Sequence, residues 1–331
     1  MATIYEVAEH AGVSLSTVSR VLNGRKTVNP KLREKVEAAM RELNYRPSSV
    51  ARSLATNRSD SIGVLVSELD TPFFGEMMQA IEATLREANK HVIITVGHND
   101  QQQEVDAVDF LISRNCDALI MHSEGMTDEQ LLAVNRDKLP IAVINRDVDG
   151  LDNACFCLDN EQGGYLATQH LIENGHTRIA YISGPARKTD AMERLAGHKR
   201  ALIEAGIPVI DSMIYEGNYK EQDGKEGLLA LRKGNDSFTA LVCANDWMAS
   251  GAMSCARDLG LQLPEQLSIV GFDDVVFAHH VYPKLTTVSN PVYKMGEMAA
   301  KSILSRVYDQ KHQLKLLYDA ELIERDSVAK I

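Results

Sequence analysis

The sequence has few aromatic residues, few cysteines and no long apolar run. Aromatic residues make up 5% of its 331 residues, and Trp247 is the single tryptophan. Five cysteines without the regular spacing of a disulfide framework indicate a reducing compartment. No apolar run reaches the roughly 18 residues of a membrane-spanning helix, and the first residues lack the basic and apolar segments of a signal peptide. We therefore expect a cytoplasmic protein with no membrane segment.

Motifs of catalysis and metal binding are also missing. There is no G-x-G-x-x-G after the first predicted strand, no G-x-S-x-G, no P-loop and no Cys/His spacing of a metal site. Cys155 and Cys157 would point the same way from a strand, and we interpret them as small core residues rather than a metal pair. The sequence predicts a protein that is not an enzyme and has no cofactor or metal.

The charge is unevenly distributed along the chain. The net charge is −11, yet residues 1–58 contain ten Lys and Arg against five Asp and Glu. The remaining residues contain 25 basic and 41 acidic side chains. A small basic segment on an acidic body indicates that only this segment meets a polyanion, although chance clustering would give the same numbers.

The N-terminal segment has the pattern of two short helices joined by a glycine. Thr3 and Glu6 form the T-x-x-E of a capping box at the start of the first helix. Gly12 supplies a turn, and Ser14 is a good N-cap for a second helix that runs to about Leu22. Two short helices around a glycine turn predict a helix-turn-helix.

The exposed face of the second predicted helix is rich in Ser and Thr. These residues are poor helix formers, but their short side chains let the backbone approach DNA and donate to phosphates. In a helix-turn-helix this helix enters the major groove. Arg20 can pair with a guanine edge, Leu15 can contact a thymine methyl, and Ser16 can bond a base or a phosphate. The alternative is a polar solvent-exposed face with an ordinary capping serine.

Further motifs follow the second helix. A third helix is predicted from about Asn29, and then come Y-R-P-S-S-V-A-R-S-L-A and a polar linker up to Asp60. Together with T-I-Y-E-V-A, A-G-V-S and T-V-S-R-V-L-N-G, they resemble the lac/galactose repressor family of bacterial transcription regulators, most of all its galactose-repressor branch. The resemblance covers nearly the whole chain. It implies a helix-turn-helix DNA-binding domain at residues 1–46 and a hinge helix with a linker at residues 47–60.

The resemblance implies roles for individual residues of this region. Three fall at base-reading positions of the recognition helix: Leu15, Ser16 and Arg20. The positions that it places at DNA phosphates are Tyr5, Ser14, Thr17, Ser19 and Asn23. It also implies that the hinge helix forms on DNA and inserts an apolar wedge from the minor groove, which kinks the duplex. The hinge residues at the minor groove are Val50, Ala51 and Leu54.

After Ser61, short apolar segments alternate with amphipathic helical segments. Nine strands are predicted, from SIGVLV to LTTVS, and this alternation predicts parallel sheets with helices on both faces. Nine strands are too many for one compact sheet, so we expect two doubly wound parallel-sheet subdomains. The resemblance implies the same α/β periplasmic-binding-protein-like core at residues 61–331, with three crossovers. The first subdomain is expected at about 61–160 and 290–320, and the second at about 161–288 and 321–331.

Polar and aromatic residues follow the carboxyl ends of the predicted strands, where open α/β sheets bind ligands. Carboxylates, amides and an arginine suit vicinal hydroxyls, and an aromatic face suits a sugar ring. We expect Asp246 to be the N-cap of the helix that follows it and Asp274 to be a turn residue. The residues at these ends are Asp70, Phe73, Phe74, Asn145, Arg146, Asp159, Asn160, Asp190, Arg194, Asn245, Asp246, Asp273 and Asp274.

The resemblance implies that several of these residues form an effector site. It places Arg194, Asn245 and Asp273 at the main effector contacts. It adds four further candidates: Asn145, Asp190, Phe73 and Tyr219. The favoured ligand is a galactose-like or glucoside-type sugar.

A purine corepressor is the alternative ligand. Phe73, Phe74 and Tyr219 can supply the aromatic sandwich that a purine needs. Lys188 and Asp190 weigh against it, because the purine-responsive branch has an arginine and a threonine there.

These features predict a ligand-controlled repressor of carbohydrate genes. Two-fold symmetry would match a pseudo-palindromic operator on double-stranded DNA. No leucine heptad follows LIERDSVAKI, so we expect a homodimer rather than the tetramer of the lac repressor. Apolar faces of the predicted helices at residues 76–88 and 246–258 are candidates for its interface, although most of these residues are expected in the core.

Overall fold

The computed structural model describes residues 2–22, 28–45, 58–136, 139–234 and 237–331. The chain divides into two compact units, Met1–Asp60 and Ser61–Ile331.

The first unit contains three helices, α1 (Ile4–Ala11), α2 (Leu15–Leu22) and α3 (Pro30–Glu42). The capping box predicted for α1 is confirmed, since the Thr3 amide donates to Oε2 of Glu6 at 2.6 Å and the Glu6 amide donates to Oγ1 of Thr3 at 3.3 Å. These two bonds satisfy amides that the first helical turn leaves without partners.

A small apolar core joins the three helices. Val7, Val18 and Val36 are fully buried, one from each helix. The turn between α1 and α2 depends on Gly12, which adopts the left-handed conformation (φ 64°) that disfavours side chains. The predicted helix-turn-helix is thereby confirmed, with the inward face of α2 held by Val18 and Val21.

The first lobe of the second unit is a six-stranded parallel sheet in the order β11-β5-β4-β3-β1-β2. Its strands are β1 (Ser61–Val66), β2 (His91–Val96), β3 (Ala118–Met121), β4 (Ile141–Ile144), β5 (Cys155–Leu158) and β11 (Leu317–Tyr318). Its helices are α4 (Pro72–Glu87), α5 (Gln101–Ser113), α6 (Asp128–Arg136) and α11 (Val292–Tyr308).

The second lobe is a six-stranded sheet in the order β12-β10-β9-β8-β6-β7. Its strands are β6 (Ile179–Ser183), β7 (Ile214–Glu216), β8 (Ala240–Cys243), β9 (Ser268–Asp273), β10 (Thr286–Ser289) and β12 (Glu321–Ile323). Its helices are α7 (Asn160–Glu173), α8 (Thr189–Glu204), α9 (Glu221–Lys233) and α10 (Asp246–Asp258), with short 3₁₀ turns at Asp211–Met213 and Val276–His279. Only β12 runs antiparallel to its neighbour, β10, among the strand pairs of the described chain.

The chain passes between the lobes three times: between β5 and α7, between β10 and α11, and between β11 and β12. The predicted fold class, a helix-turn-helix with a two-lobed parallel α/β core, is confirmed. Three short strands were not predicted, because β7, β11 and β12 have only three, two and three residues.

Apolar residues of the central strands β3, β4, β6 and β8 are buried on both faces of their sheets, as helix-covered parallel sheets require. The last five residues of β1 are all buried. Most apolar residues of α4 and α10, including Met77, Ile81 and Met248, lie in the core of their own chain. Among the helices that the structure describes, none is long and apolar enough to cross a bilayer.

Candidate functional site: a cavity between the lobes and a helix-turn-helix face

The carboxyl ends of both sheets meet around a cavity of about 230 Å³. Parallel strands bring their carboxyl ends to one edge, so the loops of the two lobes face each other there. All seven predicted effector residues line this cavity: Phe73, Asn145, Asp190, Arg194, Tyr219, Asn245 and Asp273. Their contact with a ligand stays a prediction.

Arg194 is the buried cation of the cavity wall, with 3% of its side chain exposed. From α8, its Nε donates to Oδ1 of Asn160 at 2.9 Å and its Nη1 donates to the Ala244 carbonyl at 2.6 Å. The guanidinium lies 3.7 Å from the ring centre of Phe272. These contacts hold the planar guanidinium in one orientation, which suits paired hydrogen bonds to vicinal hydroxyls.

Two carboxylates face this guanidinium. Nη1 of Arg194 lies 3.5 Å from Oδ1 of Asp273, and Nη2 lies 4.0 Å from Oδ2 of Asp190. Burial disfavours the charged guanidinium, but Asp273 and the other acidic groups outweigh it, so the pKa of Arg194 is raised. The arginine therefore stays charged although it is buried.

Asp273 ends β9 with an unusual backbone, at φ 104°. A non-glycine residue in this region is strained, and such strain concentrates at functional sites. Nδ2 of Asn290 donates to its Oδ1 at 3.1 Å. Burial raises the pKa of Asp273 to about 6, against the opposing effects of Arg194 and Asn290. Its carboxylate is thus ionised near neutral pH and becomes protonated in mild acid.

Asn145 connects the lobes across the cavity. It follows β4 in the first lobe, and its Nδ2 donates to Oδ2 of Asp190 in the second lobe at 3.3 Å. Its Oδ1 is buried and has no hydrogen-bond partner within the described structure. The side chain therefore presents an acceptor that a ligand donor would satisfy.

Asn245, rather than Asp246, is the N-cap of α10. Its backbone is extended, and its Oδ1 accepts from the Met248 amide at 2.9 Å. The expectation that Asp246 caps this helix is wrong, because Asp246 is the first helical residue and is fully buried. It accepts instead from Oγ1 of Thr287 at 2.6 Å and from the Val275 amide at 3.0 Å.

Both polar atoms of the Asn245 side chain form hydrogen bonds within the chain. Its Nδ2 donates to the Tyr219 carbonyl at 3.0 Å, in addition to the capping bond of Oδ1. An amide nitrogen carries a second hydrogen, which remains for a ligand. Asn245 therefore fixes the Tyr219 loop and can contact a ligand at the same time.

Aromatic rings form an apolar wall of the cavity. Phe73 and Phe74 pack edge to face with their centres 5.2 Å apart, and Phe74 also packs against His122 at 5.0 Å. Phe74 is both buried and part of the cavity wall, so it serves the core and the site together. Tyr219 and Trp247 lie on the second-lobe side.

His122 and Glu124 also line the cavity and were not predicted. They follow β3, and Nδ1 of His122 lies 3.0 Å from Oγ of Ser67. Burial lowers the pKa of His122 to about 4, and burial raises the pKa of Glu124 to about 7. The rule of strand carboxyl ends, applied to the predicted strand DALIM, would have found both residues.

Two lysines of the second lobe reach residues of the first lobe at the cavity. Nζ of Lys188 donates to Oδ1 of Asn99 at 3.1 Å. Lys220 forms an ion pair with Glu68 and lies 3.9 Å from Asp70. These contacts join the two lobes at the cavity, because all four of these residues line it: Lys188, Asn99, Lys220 and Glu68.

Other residues at predicted strand ends have structural partners instead. Arg146 pairs with Asp128 at 2.5 Å, and Asp274 pairs with Arg325 at 2.5 Å. Asp159 caps α7 by accepting from the Gln162 amide at 2.9 Å. Across the described residues, no group of three or more His, Cys, Asp or Glu side chains is arranged to hold a metal.

The first unit presents the predicted DNA-reading residues on one side of α2. Leu15, Ser16 and Arg20 are exposed. Oγ of Ser14 accepts from the Thr17 amide at 3.3 Å, as an N-cap does. Leu15 is an apolar side chain that the core of this unit leaves in contact with water.

The residues predicted at phosphates are less uniform in exposure. Tyr5 is 70% exposed, whereas Thr17 and Ser19 are half-buried. Four predicted residues lie outside the described residues: Asn23, Val50, Ala51 and Leu54.

A helix-turn-helix unit followed by a two-lobed core with a polar interlobe cavity defines a DNA-binding regulator with a small-molecule-binding core. Comparison with known families agrees. Residues 3–48 match the bacterial regulatory proteins of the lacI family, and residues 59–325 match the periplasmic binding proteins and sugar binding domain of the LacI family. The chain belongs to the lacI family of bacterial regulatory proteins. It is a transcriptional regulator and not an enzyme.

Individual relatives are similar over nearly the whole chain. The HTH-type transcriptional regulator GalR of Escherichia coli strain K12 is 36% identical, over 99% of this chain and 96% of its own. The HTH-type transcriptional repressor PurR of Vibrio vulnificus strain CMCP6 is 35% identical over all of both chains. The crystal structure of the lac repressor dimer bound to operator and the anti-inducer ONPF superposes with a TM-score of 0.89, at 31% identity over 99% of both chains.

Proposed function

We propose that this protein represses carbohydrate genes and that a sugar held in the interlobe cavity controls its binding to operator DNA. The observation that supports a sugar as the ligand is a group of buried polar atoms at the cavity that have no partners in the described structure. They are Oγ1 of Thr71, Oδ1 of Asn145, Oη of Tyr219 and Nε1 of Trp247.

A polyhydroxylated ligand matches these atoms. Nε1 of Trp247 can only donate and Oδ1 of Asn145 can only accept, whereas the hydroxyls of Tyr219 and Thr71 do both. A sugar hydroxyl also does both, so several hydroxyls can pair with all four atoms. Each buried polar atom left unpaired costs about 1–3 kcal/mol, which favours a ligand that satisfies them.

The charged and apolar walls support the same ligand class. Arg194 and Asp273 offer paired donors and acceptors for neighbouring hydroxyls. The rings of Phe73 and Trp247 offer apolar surface to the C–H face of a sugar ring. The similarity to GalR and to the operator-bound lac repressor supports both halves of the proposal.

Control would follow from a two-state equilibrium of the lobes. A sugar that contacts both lobes shifts this equilibrium only by its difference in affinity for the two states. We propose that residues 1–46 read a pseudo-palindromic operator as part of a homodimer, that residues 47–60 form the hinge and linker, and that residues 61–331 bind the effector and dimerise. The expected location is the cytoplasm.

A purine ligand is the second candidate. The aromatic rings of Phe73, Tyr219 and Trp247 favour it, and so does the 35% identity to PurR. The carboxylates of Asp190 and Asp273 favour the sugar, because a sugar offers more hydroxyl donors to them than a purine base does.

Trp247 provides the test, because it is the single tryptophan and lines the cavity. Its fluorescence is recorded while the protein is titrated with hexoses, glucosides, nucleosides and purine bases. A saturable change with one class of sugar, together with altered binding to operator DNA, is the expected result. A response to purines alone would establish the second candidate, and no response to any compound would overturn the proposal of a free-sugar effector.

A further inference from the structure

Glu104 is a fully buried carboxylate that lies outside the cavity. It stands in the first turn of α5 and is 0% exposed. Its Oε2 accepts from Oγ of Ser123 at 2.6 Å and from the amides of Gly125 and Met126, both at 2.9 Å. Its Oε1 accepts from the Glu124 amide at 3.1 Å. One side chain thus binds three successive backbone amides and a hydroxyl.

The segment held by Glu104 forms part of the cavity rim. His122 directly precedes this segment, Glu124 lies within it, and both line the cavity. Buried amides need acceptors, and three amides of the turn after β3 donate to this one carboxylate. Bonds to an ionised acceptor are also stronger than neutral ones. The path of residues 123–126, and with it the place of Glu124, therefore depends on Glu104.

The stem of Glu104 also packs under a second rim segment. A Cβ added to Gly97 would lie 2.3 Å from Cγ of Glu104, so this glycine is needed for the close approach. His98 and Asn99 follow Gly97 and line the cavity. Both have positive φ angles, 53° and 55°, so this rim is a tight turn. Glu104 therefore contacts both first-lobe segments that carry these cavity residues.

We propose that Glu104 is a positioning residue of the effector site, which sets ligand affinity by fixing two rim segments without touching the ligand. This inference rests on the proposed function of the cavity. A residue in this role acts through His122, Glu124, His98 and Asn99. Its loss should loosen the rim while the sheet beneath it remains folded.

Three full-length variants test the proposal. Glu104→Gln replaces one charged acceptor by a donor that faces backbone amides. Ser123→Ala removes a single bond to Glu104 and is the milder variant. Glu87→Gln makes the same chemical change at an exposed position of α4 and is the matched control.

Hydrogen–deuterium exchange of residues 122–127 is measured first, without any sugar. We expect exchange at least about tenfold faster in Glu104→Gln, a smaller increase in Ser123→Ala and none in Glu87→Gln. D-Galactose is then titrated by Trp247 fluorescence, well below the unfolding temperature of each variant. The Kd is expected to rise about tenfold in Glu104→Gln and less in Ser123→Ala, while operator binding without sugar stays unchanged.

Unchanged exchange in Glu104→Gln would overturn the proposal. Faster exchange with an unchanged Kd would also overturn it, because a purely structural role lowers stability without altering affinity in the folded protein. If Glu104→Gln does not fold, Ser123→Ala decides by the same two measurements. If the wild type does not bind D-galactose, the same titrations use the sugar that it binds in the fluorescence panel. A wild type that binds no sugar of the panel contradicts the proposed function itself, whereas failure of the two Glu104→Gln measurements alone contradicts only the role of Glu104.

Discussion

Nη1 of Arg194 lies 3.5 Å from Oδ1 of Asp273, with both side chains almost fully buried at the same cavity. One comes from the first turns of α8 and the other from the end of β9, 79 residues further along the chain. A buried ion pair adds little to stability by itself, since desolvation offsets the attraction. Its place at the cavity wall, with strained backbone at Asp273, supports the proposal that the pair contacts the ligand.

Replacing Arg194 by lysine should impair both ligand binding and stability. A single ammonium cannot reach Asn160, the Ala244 carbonyl and Asp273 together, as the guanidinium does. We expect the Kd for the sugar to rise at least about tenfold and the free energy of unfolding to fall by up to about 3–5 kcal/mol. Titration calorimetry and urea unfolding measure the two effects.

Arg200→Lys is the matched control for this change. Arg200 lies on the same helix, is partly exposed and pairs with Glu161. The control should leave both quantities nearly unchanged. Equal effects of the two substitutions would show that α8 tolerates lysine poorly for a reason unrelated to the cavity.

Ligand affinity should fall in mild acid. The pKa of Asp273 is raised to about 6, so the carboxylate accepts hydroxyl donors above that pH and is protonated below it. We expect the Kd to increase by up to about tenfold per pH unit below pH 6. Titrations between pH 5 and pH 8 measure this dependence.

Two variants separate the groups that titrate at the cavity. Asp273→Asn should bind weakly at every pH and lose the inflection near pH 6. Glu124→Gln should keep that inflection, because it removes only the carboxyl whose pKa is raised to about 7. An affinity that is constant from pH 5 to pH 8 would refute the role of the Asp273 carboxylate.

Arg20→Ala should strongly reduce the preference for operator over unrelated DNA. A guanidinium paired with a guanine edge contributes roughly 1–3 kcal/mol of discrimination, and the alanine contributes none of it. Sugar binding to the core should be unaffected. Fluorescence anisotropy with operator and scrambled duplexes measures the preference.

Lys35→Ala serves as the control, because it removes one exposed positive charge from α3 instead of α2. It should weaken binding to both duplexes equally, if at all. If Arg20→Ala also lost sugar binding, the substitution would have unfolded the protein rather than removed a base contact.

His198 should make the protein less stable as the pH falls. It is fully buried, its Nδ1 lies 2.8 Å from Oγ1 of Thr168, and burial lowers its pKa from 6.5 to about 3. Between these values the unfolded chain binds a proton that the folded chain does not. The free energy of unfolding therefore loses about 1.4 kcal/mol per pH unit from this group as the pH drops below 6.5.

Urea unfolding at pH 7, 6 and 5 tests this effect. His198→Gln should be less stable than the wild type at pH 7, and the gap should narrow towards pH 5. His91→Gln, at an exposed position, should follow the wild type at each pH. If the difference in the free energy of unfolding between the wild type and His198→Gln were the same at every pH, the effect of burial on the pKa of His198 would be contradicted.

The sequence alone determined the helix-turn-helix and the class of the core. Capping boxes, a glycine turn and apolar periodicity act over a few residues, so Thr3, Glu6 and Gly12 could be interpreted without knowledge of the rest of the chain. The alternation of apolar strands and helices predicted two parallel sheets. The carboxyl-end rule and the family resemblance together then predicted seven of the residues that line the cavity.

Only the tertiary structure decided which of these side chains are committed to other partners. Asn245 took the capping role expected of Asp246, because the last extended residue before α10 is one position earlier. Strands of two or three residues carry no periodicity, so β7, β11 and β12 are defined only by the neighbours that they pair with. Glu104 appears in the sequence as one more acidic residue on a polar helix. Its burial and its four bonds arise from contact with residues about 20 positions away, which local sequence patterns do not encode.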